Sequence, residues 1–379
     1  MRLITLAAAF VSIAALAPRA QSQPLPHRHD TSRVIEFPDV PGYQTLVVDL
    51  HMHTVFSDGS VWPNIRVEEA LRDGLDAIAT TEHLEYQPHR ADIPHPDRNR
   101  AFEIAAYRAR NTDLIVIPGS EITRSMPPGH ANAVFITDAN RLLVSDSIEV
   151  FREAARQGAF NFWNHPNWTS QRDDGIATLT PTHRYLIDND LLHGIEVVNE
   201  LTFSEEALQI ALDHELTIIG TSDIHGLVDW EFNAGHGGHR PVTLVFARER
   251  TADSIKEALF AGRTAVWFDN TLIGRPENLL PLVNTAITVG NARYDGDTSV
   301  LVVEIENPSD VEFVLQNVSD FTFHRTPDVF NVAPHATSVL EVKTIERLDR
   351  IALPFIVLNA IAAPGEHPTI TLNAEVDDN

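Results

Sequence analysis

From about residue 43 to residue 268, short apolar runs alternate with stretches in which apolar residues recur at helical spacing. The runs Gln44–Leu50, Ala77–Thr81, Leu114–Pro118, Ala133–Ile136, Ala159–Trp163, Gly194–Val198 and Thr217–Thr221 read as strands. Between several of them lie the helical patterns Asn64–Asp73, Arg98–Asn111, Ser147–Gln157 and Glu205–His214. Strands alternating with helices imply βαβ units and therefore a parallel sheet or barrel. A last strand, Val242–Ala247, and a helix, Asp253–Ala261, close this section; Thr251-Ala252-Asp253 supplies a cap and Gly262 a stop.

Beyond Gly274-Arg275-Pro276 the period changes. Ser299–Glu306, Val311–Val318, Ala336–Val342 and Thr369–Ala374 carry β-type patterning, with Asn, Pro and Asp turns between them. An antiparallel, sandwich-like β module is expected over residues 276–379. It contains no cluster of ligand-type residues, so its role is structural or substrate-covering. At the other end, Arg2 precedes the apolar stretch Leu3–Leu16, followed by Ala17 and then Pro18-Arg19-Ala20-Gln21. That is the layout of a secretory signal peptide, assigned to residues 1–23. The apolar run is short for a membrane span, although a retained anchor is the alternative. Export to the periplasm or beyond is the expected destination, and residues 24–42 read as a linker.

The histidines fall where the apolar runs stop. His51-Met52-His53 directly follows the first strand, and residues two apart on a strand point to the same side. Thr81-Glu82-His83 ends the second strand, Gly119-Ser120-Glu121 the third, Asn164-His165-Pro166 the fifth and Ser222-Asp223-Ile224-His225 the seventh. Gly129-His130-Ala131-Asn132 adjoins the fourth strand at its start. Any one of these has an ordinary structural explanation. Their recurrence at strand ends, where parallel barrels build active sites, points to a metal centre.

Composition narrows the chemistry. There is no cysteine, which removes disulfides, thiolate zinc sites and cysteine nucleophiles and leaves His, Asp and Glu as ligands. The formal charge is -25, from 53 acidic against 28 basic residues, and the only lysines are Lys256 and Lys343. Such a surface repels polynucleotides and anionic membranes, while a small anion can still enter a cationic metal pocket. The acidity is also explained by solubility alone.

The motifs Asp49-Leu50-His51-Met52-His53-Thr54 with Ser57-Asp58-Gly59, then Thr81-Glu82-His83, Gly119-Ser120-Glu121, Gly129-His130-Ala131-Asn132, Asn164-His165-Pro166 and Ser222-Asp223-Ile224-His225, resemble in order those of the PHP (polymerase and histidinol phosphatase) family of metal-dependent phosphoesterases. At position 82 the family more often has Asp. The resemblance implies an α/β fold, a distorted (β/α)7 barrel over residues 43–275, followed by the β module. It also implies three metal positions. One would use His51, His53, Glu121 and Asp223; a second would share Glu121 and add His130 and His165; a third would use Asp58, His83 and His225.

Two to three divalent ions are implied, manganese first, with iron or zinc compatible with the ligand types. A water between two such ions loses a proton near neutral pH and becomes the nucleophile. Glu121 and Asp223 are thus central to the expected catalytic apparatus. Arg124, three residues past Glu121, is a candidate phosphate clamp, although a surface salt bridge serves equally. Trp168 and Arg172 follow His165 and are candidate substrate contacts, with core packing the alternative for Trp168. His236, His239 and Arg240, in a glycine-rich stretch, are candidates to hydrogen-bond substrate or to give a departing alkoxide its proton.

With the export signal and the β module, the resemblance extends to exported Sb-PDE-type organophosphate phosphodiesterases. The activity implied is hydrolysis of small organic phosphate esters, diesters first, with monoesters the open alternative. Two other readings stay open: a carbamate, amide or carboxyl-ester hydrolase on the same barrel, and a non-catalytic binder that keeps a metal scaffold. The expected partner is a small phosphate ester, with no nucleic acid, no membrane after signal cleavage, and no specified oligomeric state.

Overall fold

The structure, a computed structural model, describes residues 34–377. The signal-peptide reading of residues 1–23 and the first part of the linker lie outside the described residues. In chain order the first section runs β1 (Gln44–Asp49), α1 (Pro63–Asp73), β2 (Ala77–Thr80), α2 (Arg100–Ala109), β3 (Ile115–Ile122) and β4 (Ala131–Val134). It continues α3 (Glu149–Arg156), β5 (Phe160–Trp163), α4 (Pro181–Asp188), β6 (Gly194–Asn199), β7 (Thr202–Phe203), α5 (Glu205–Asp213) and β8 (Thr217–Thr221). It ends α6 (Val228–Glu231), β9 (Val242–Ala247), α7 (Ala252–Phe260), β10 (Thr264–Phe268), β11 (Thr271–Gly274) and α8 (Pro276–Ala286).

Local chemistry sets the ends of these elements. Helix α1 begins with Pro63, whose fixed φ and missing N–H suit a first turn, and stops at Gly74, where φ is 72°. Thr180 caps α4 and Thr251 caps α7, each hydroxyl accepting a backbone N–H from the first turn.

The strands make one mixed sheet in the order β11-β10-β9-β1-β2-β3-β4-β5-β6-β7, with β8 on the other side of β6. β1, β2 and β3 are parallel, as are β5, β6 and β8, whereas β4 and β9 run antiparallel to their neighbours. The barrel closes between β8 and the β1 and β9 side without a full ladder. Thr243 Oγ1 donates to Gly220 O at 2.8 Å and accepts from Gly220 N at 3.0 Å. A side chain at Gly220 would meet Val266 at 2.2 Å, so this approach of β8 to β10 requires glycine. At the rim, a single parallel bridge joins Met52 to Ile224.

The reversed β4 resolves an oddity of the sequence. His130 precedes its strand instead of following it; because β4 is antiparallel to β3 and β5, its start lies on the rim where the other strands end.

Nine further strands form the C-terminal module: β12 (Thr288–Tyr294), β13 (Val300–Asn307), β14 (Phe313–Asn317), β15 (Thr322–Phe323), β16 (Val329–Val332), β17 (Ala336–Lys343), β18 (Arg350–Val357), β19 (Ala360–Ile361) and β20 (Thr369–Glu375). They build two four-stranded antiparallel sheets, β12-β13-β17-β15 and β16-β14-β18-β20, alternating buried and exposed residues along each strand. Strand β19 leaves the sandwich and pairs in parallel with β11 of the barrel sheet. Asn359 Nδ2 donates to Asn270 O and Glu312 O at 2.7 and 2.8 Å, tying the two parts at that seam. One apolar core, including Leu272, Leu279, Phe313 and Ala360, runs through both.

Two expected boundaries change. Residues 276–286 are helical, and the β module starts at Thr288. Residues 34–42 are no free tether: Ile35 and Val40 are buried, Ile35 N donates to Asp73 O at 3.0 Å, and Phe37 packs edge-on against Trp267. Burying an apolar side chain is worth about 1.5–3 kcal/mol, which fastens this stretch to the barrel.

Candidate metal centre

All nine residues expected as ligands meet at the rim. Parallel extension of β1 past Asp49 brings His51 and His53 to one point, with their Nε2 atoms 3.1 Å apart. Asp223 Oδ1 lies 3.1 Å from His51 Nε2 and 3.0 Å from His53 Nε2. Glu121 reaches across this group, 3.6 and 3.7 Å from the same two nitrogens, 3.0 Å from His130 Nδ1 and 3.4 Å from His165 Nε2. Asp58 lies 3.3 Å from His83 Nε2 and 3.2 Å from His225 Nε2. The contacts differ from the expected partition in one respect. His83 Nδ1 also contacts Glu121, and His53 Nδ1 lies 3.8 Å from Asp58, so these two imidazoles face two groups each. Three ligand groups result: His51, His53 and Asp223; His83, Glu121 and His130; and His53, Asp58, His83 and His225.

The donor set fits divalent cations. Asp58 Oδ1, Glu121 Oε2, Asp223 Oδ1 and His165 Nδ1 are buried without a well-formed hydrogen bond, even though imidazole nitrogens stand near all three oxygens. Buried polar atoms are rarely left so, and a cation among them would satisfy them together. Electrostatics agree. Burial opposes charge on His51, but Asp223, Glu196 and Glu121 outweigh it and push its pKa up to about 10. His83 is likewise desolvated, yet Glu121 and Asp58 raise it to about 11. Burial and the neighbouring His83 lower His53 to about 3. The carboxylates thus stabilise positive charge at this point, whichever species carries it.

Residues not singled out in the sequence hold the ligands in place. Glu196, in β6, is buried; its Oε1 lies 2.8 Å from His51 Nδ1 and accepts from Thr221 Oγ1, while Oε2 accepts from His165 N and Asn199 Nδ2. Arg66, fully buried on α1, donates to the carbonyls of His53, Ile224 and Gly226, so one guanidinium pins two ligand loops. Glu82 accepts from Ser57 Oγ at 2.5 Å and from Thr54 N, which fixes the turn leading to Asp58. His165 and Asp223 have φ of 29° and 46°, left-handed values that side chains of their kind adopt at a cost.

A cavity of about 360 Å³ opens onto this cluster. Tyr86, Thr123, Trp168, Asn199 and Glu200 line it beside the imidazoles. Of the expected substrate contacts, only Trp168 is among them, packed against the His165 ring at 5.1 Å. Arg124 turns away, to Glu85 at 2.9 Å and the Val144 carbonyl at 2.5 Å. Arg172 donates to Thr178 O. Arg240 is buried between Asp73 at 2.8 Å and Asp49 at 3.2 Å, compensating two carboxylates in the interior. His239 stacks on Trp267 at 3.5 Å and lines a different cleft, and His236 is exposed outside the metal cavity. The cationic contacts expected from sequence proximity are therefore structural or peripheral. Among the described residues none of the β module lines the cavity, which favours the structural of its two expected roles.

No curated protein matches the chain. An Ig-like domain family matches residues 287–373. Among solved structures, PsfC from Pseudomonas syringae is 18% identical over 59% of this chain and 91% of its own, with a TM-score of 0.42. A two-domain protein from Bacteroides vulgatus, containing a predicted PHP-like metal-dependent phosphoesterase, is 40% identical over 90% of this chain and 98% of its own, with a TM-score of 0.84. With barrel, ligand cluster and appended β-sandwich all in place, and that identity across nearly the full length, this chain belongs to the family of PHP-like metal-dependent phosphoesterases.

Proposed function

We propose that the chain is an exported, periplasmic or secreted, phosphodiesterase acting on small organic phosphate esters. The supporting observation is the cluster of eight grouped histidines and carboxylates, with His165 beside Glu121, facing a cavity large enough for a small diester. His51, His53 and Asp223, then Glu121 with His83, His130 and His165, then Asp58 with His225, would hold two to three divalent ions, manganese being our choice. Such ions supply an ionised water near neutral pH and neutralise charge that builds on phosphoryl oxygens.

The protein's own share is positional. Glu196, Arg66 and Glu82 fix the ligand loops, which removes reorganisation from the reaction. Tyr86 and Trp168 wall the cavity and limit both water access and substrate shape. An export route agrees with the N-terminal reading of residues 1–23, and no helix among the described residues is long and apolar enough to cross a membrane.

The experiment is a comparison of manganese-reconstituted protein on bis-nitrophenyl phosphate, nitrophenyl phosphate, a nitrophenyl carboxylate and an aryl carbamate. Turnover of the diester above the others supports the proposal. Turnover of the carbonyl substrates alone replaces it with a carbonyl hydrolase, and inactivity on all four favours a binding protein.

A further inference from the structure

The cavity over the cluster has an unusual balance for a phosphate site. Among the described residues, no lysine or arginine lines it, because Arg124, Arg172 and Arg240 are each engaged elsewhere. Beyond the metal-ligand residues, its walls are Tyr86, Trp168, Thr123, Asn199 and Glu200. Tyr86 packs against His83 at 5.7 Å and Trp168 against His165 at 5.1 Å, and the two rings are 52% and 43% exposed. Glu200 lines the same cavity, and its carboxylate forms no hydrogen bond or salt bridge with a described residue.

Aromatic faces and a free carboxylate repel anions and attract organic cations; a ring face holds an alkylammonium most strongly when partly desolvated. The whole molecule biases selection the same way. At a net charge of -25, it repels a phosphomonoester dianion more than a diester monoanion, and a zwitterionic diester least of all.

We propose that this cavity selects phosphate diesters that carry an alkylammonium group on one ester arm, with Tyr86, Trp168 and Glu200 holding the cation. The inference rests on the phosphodiesterase reading above and adds a substrate class to it. Hydrolysis adds one water across a P–O ester bond, releasing an alcohol and a phosphomonoester, and no further reactant is needed.

The test uses two substrates with the same leaving group, nitrophenyl phosphocholine and nitrophenyl 3,3-dimethylbutyl phosphate, whose retained arms differ only in nitrogen against carbon. With manganese-loaded protein, kcat/KM for the choline ester is expected to exceed the other by about tenfold or more. That ratio falls toward one in Glu200→Gln and in Trp168→Leu. A wild-type ratio at or below one, with both esters hydrolysed, overturns the cation preference and leaves the phosphodiesterase reading standing. A high ratio that persists in both variants overturns the assignment to these residues. Failure of both esters to turn over removes the parent reading and this one together.

Discussion

Glu196 stands 145 positions beyond His51 in the chain, yet its carboxylate lies 2.8 Å from His51 Nδ1. That contact fixes which imidazole nitrogen faces Asp223, and the second oxygen of Glu196 holds the backbone of His165. A carboxylate behind a ligating histidine typically matters about 10–100-fold to metal affinity. Glu196→Gln is expected to weaken manganese binding by about that factor while leaving the fold intact, as measured by competition with a fluorescent chelator. Unchanged affinity would show that the contact does not orient the ligand.

Glu121 and Asp58 should differ in how many metals depend on them. Glu121 approaches five imidazoles, whereas Asp58 meets only the His53, His83 and His225 group. Glu121→Gln is expected to lose most bound metal and to cut activity by about 100-fold or more. Asp58→Asn should lose one ion per chain and keep the rest. Elemental analysis after reconstitution decides, and equal losses in the two variants would refute the division.

Arg240 and His239 lie side by side in sequence but have separate fates. Replacing Arg240 with Met leaves Asp49 buried without its guanidinium and takes one partner from Asp73, a loss of about 3–5 kcal/mol. Urea denaturation should register it; a raised KM at unchanged stability would restore Arg240 as a substrate contact. His239→Gln should change kcat/KM little, because the ring stacks on Trp267 outside the metal cavity. A true proton donor contributes about 100-fold or more, so a loss on that scale would contradict the structure.

His183 gives the fold a dependence on pH. Its ring is buried, stacked on Trp163 at 3.9 Å, with Nε2 2.6 Å from Pro128 O, and burial lowers its pKa to about 4 from an ordinary 6.5. The neutral form is therefore favoured in the folded state. Its contribution is complete above the unfolded pKa, near 6.5, and is lost as pH falls toward about 4. Between pH 7.5 and 4.5 the loss should be roughly 2–3 kcal/mol. Comparing urea midpoints of wild type and His183→Gln isolates this share, which is absent if the two fall in parallel.

Most ligands were legible in the sequence because they follow an apolar run within four residues, a local pattern that survives without knowledge of the fold; Asp58, eight residues past Leu50, was carried by the motif alone. His130 broke the pattern only because strand direction cannot be read from a four-residue run. The sixth strand was the missed signal: its end, Val198-Asn199-Glu200, carries polar residues at the same station, and both Asn199 and Glu200 line the cavity. Glu196 was hidden because a single Glu within a buried strand announces nothing until its partners are known. The arginines misled for a physical reason. Chain proximity places a Cα, but a long flexible side chain goes to the nearest carboxylate or carbonyl, and Glu85, Val144 and Asp73 come from other segments.

The pairing of β19 with β11 has a consequence for handling the molecule. An outermost strand offers a row of unpaired N–H and C=O groups, a template for self-association. Here part of that row is taken by two residues lent from the Ig-like sandwich, through Leu272 with Ala360 and Ile273 with Ile361. Cutting the chain after Ala286 would bare this strand along with the apolar surface that the sandwich shares. The severed hydrolase section should then precipitate or form assemblies, which makes the sandwich a guard against aggregation whatever else it does.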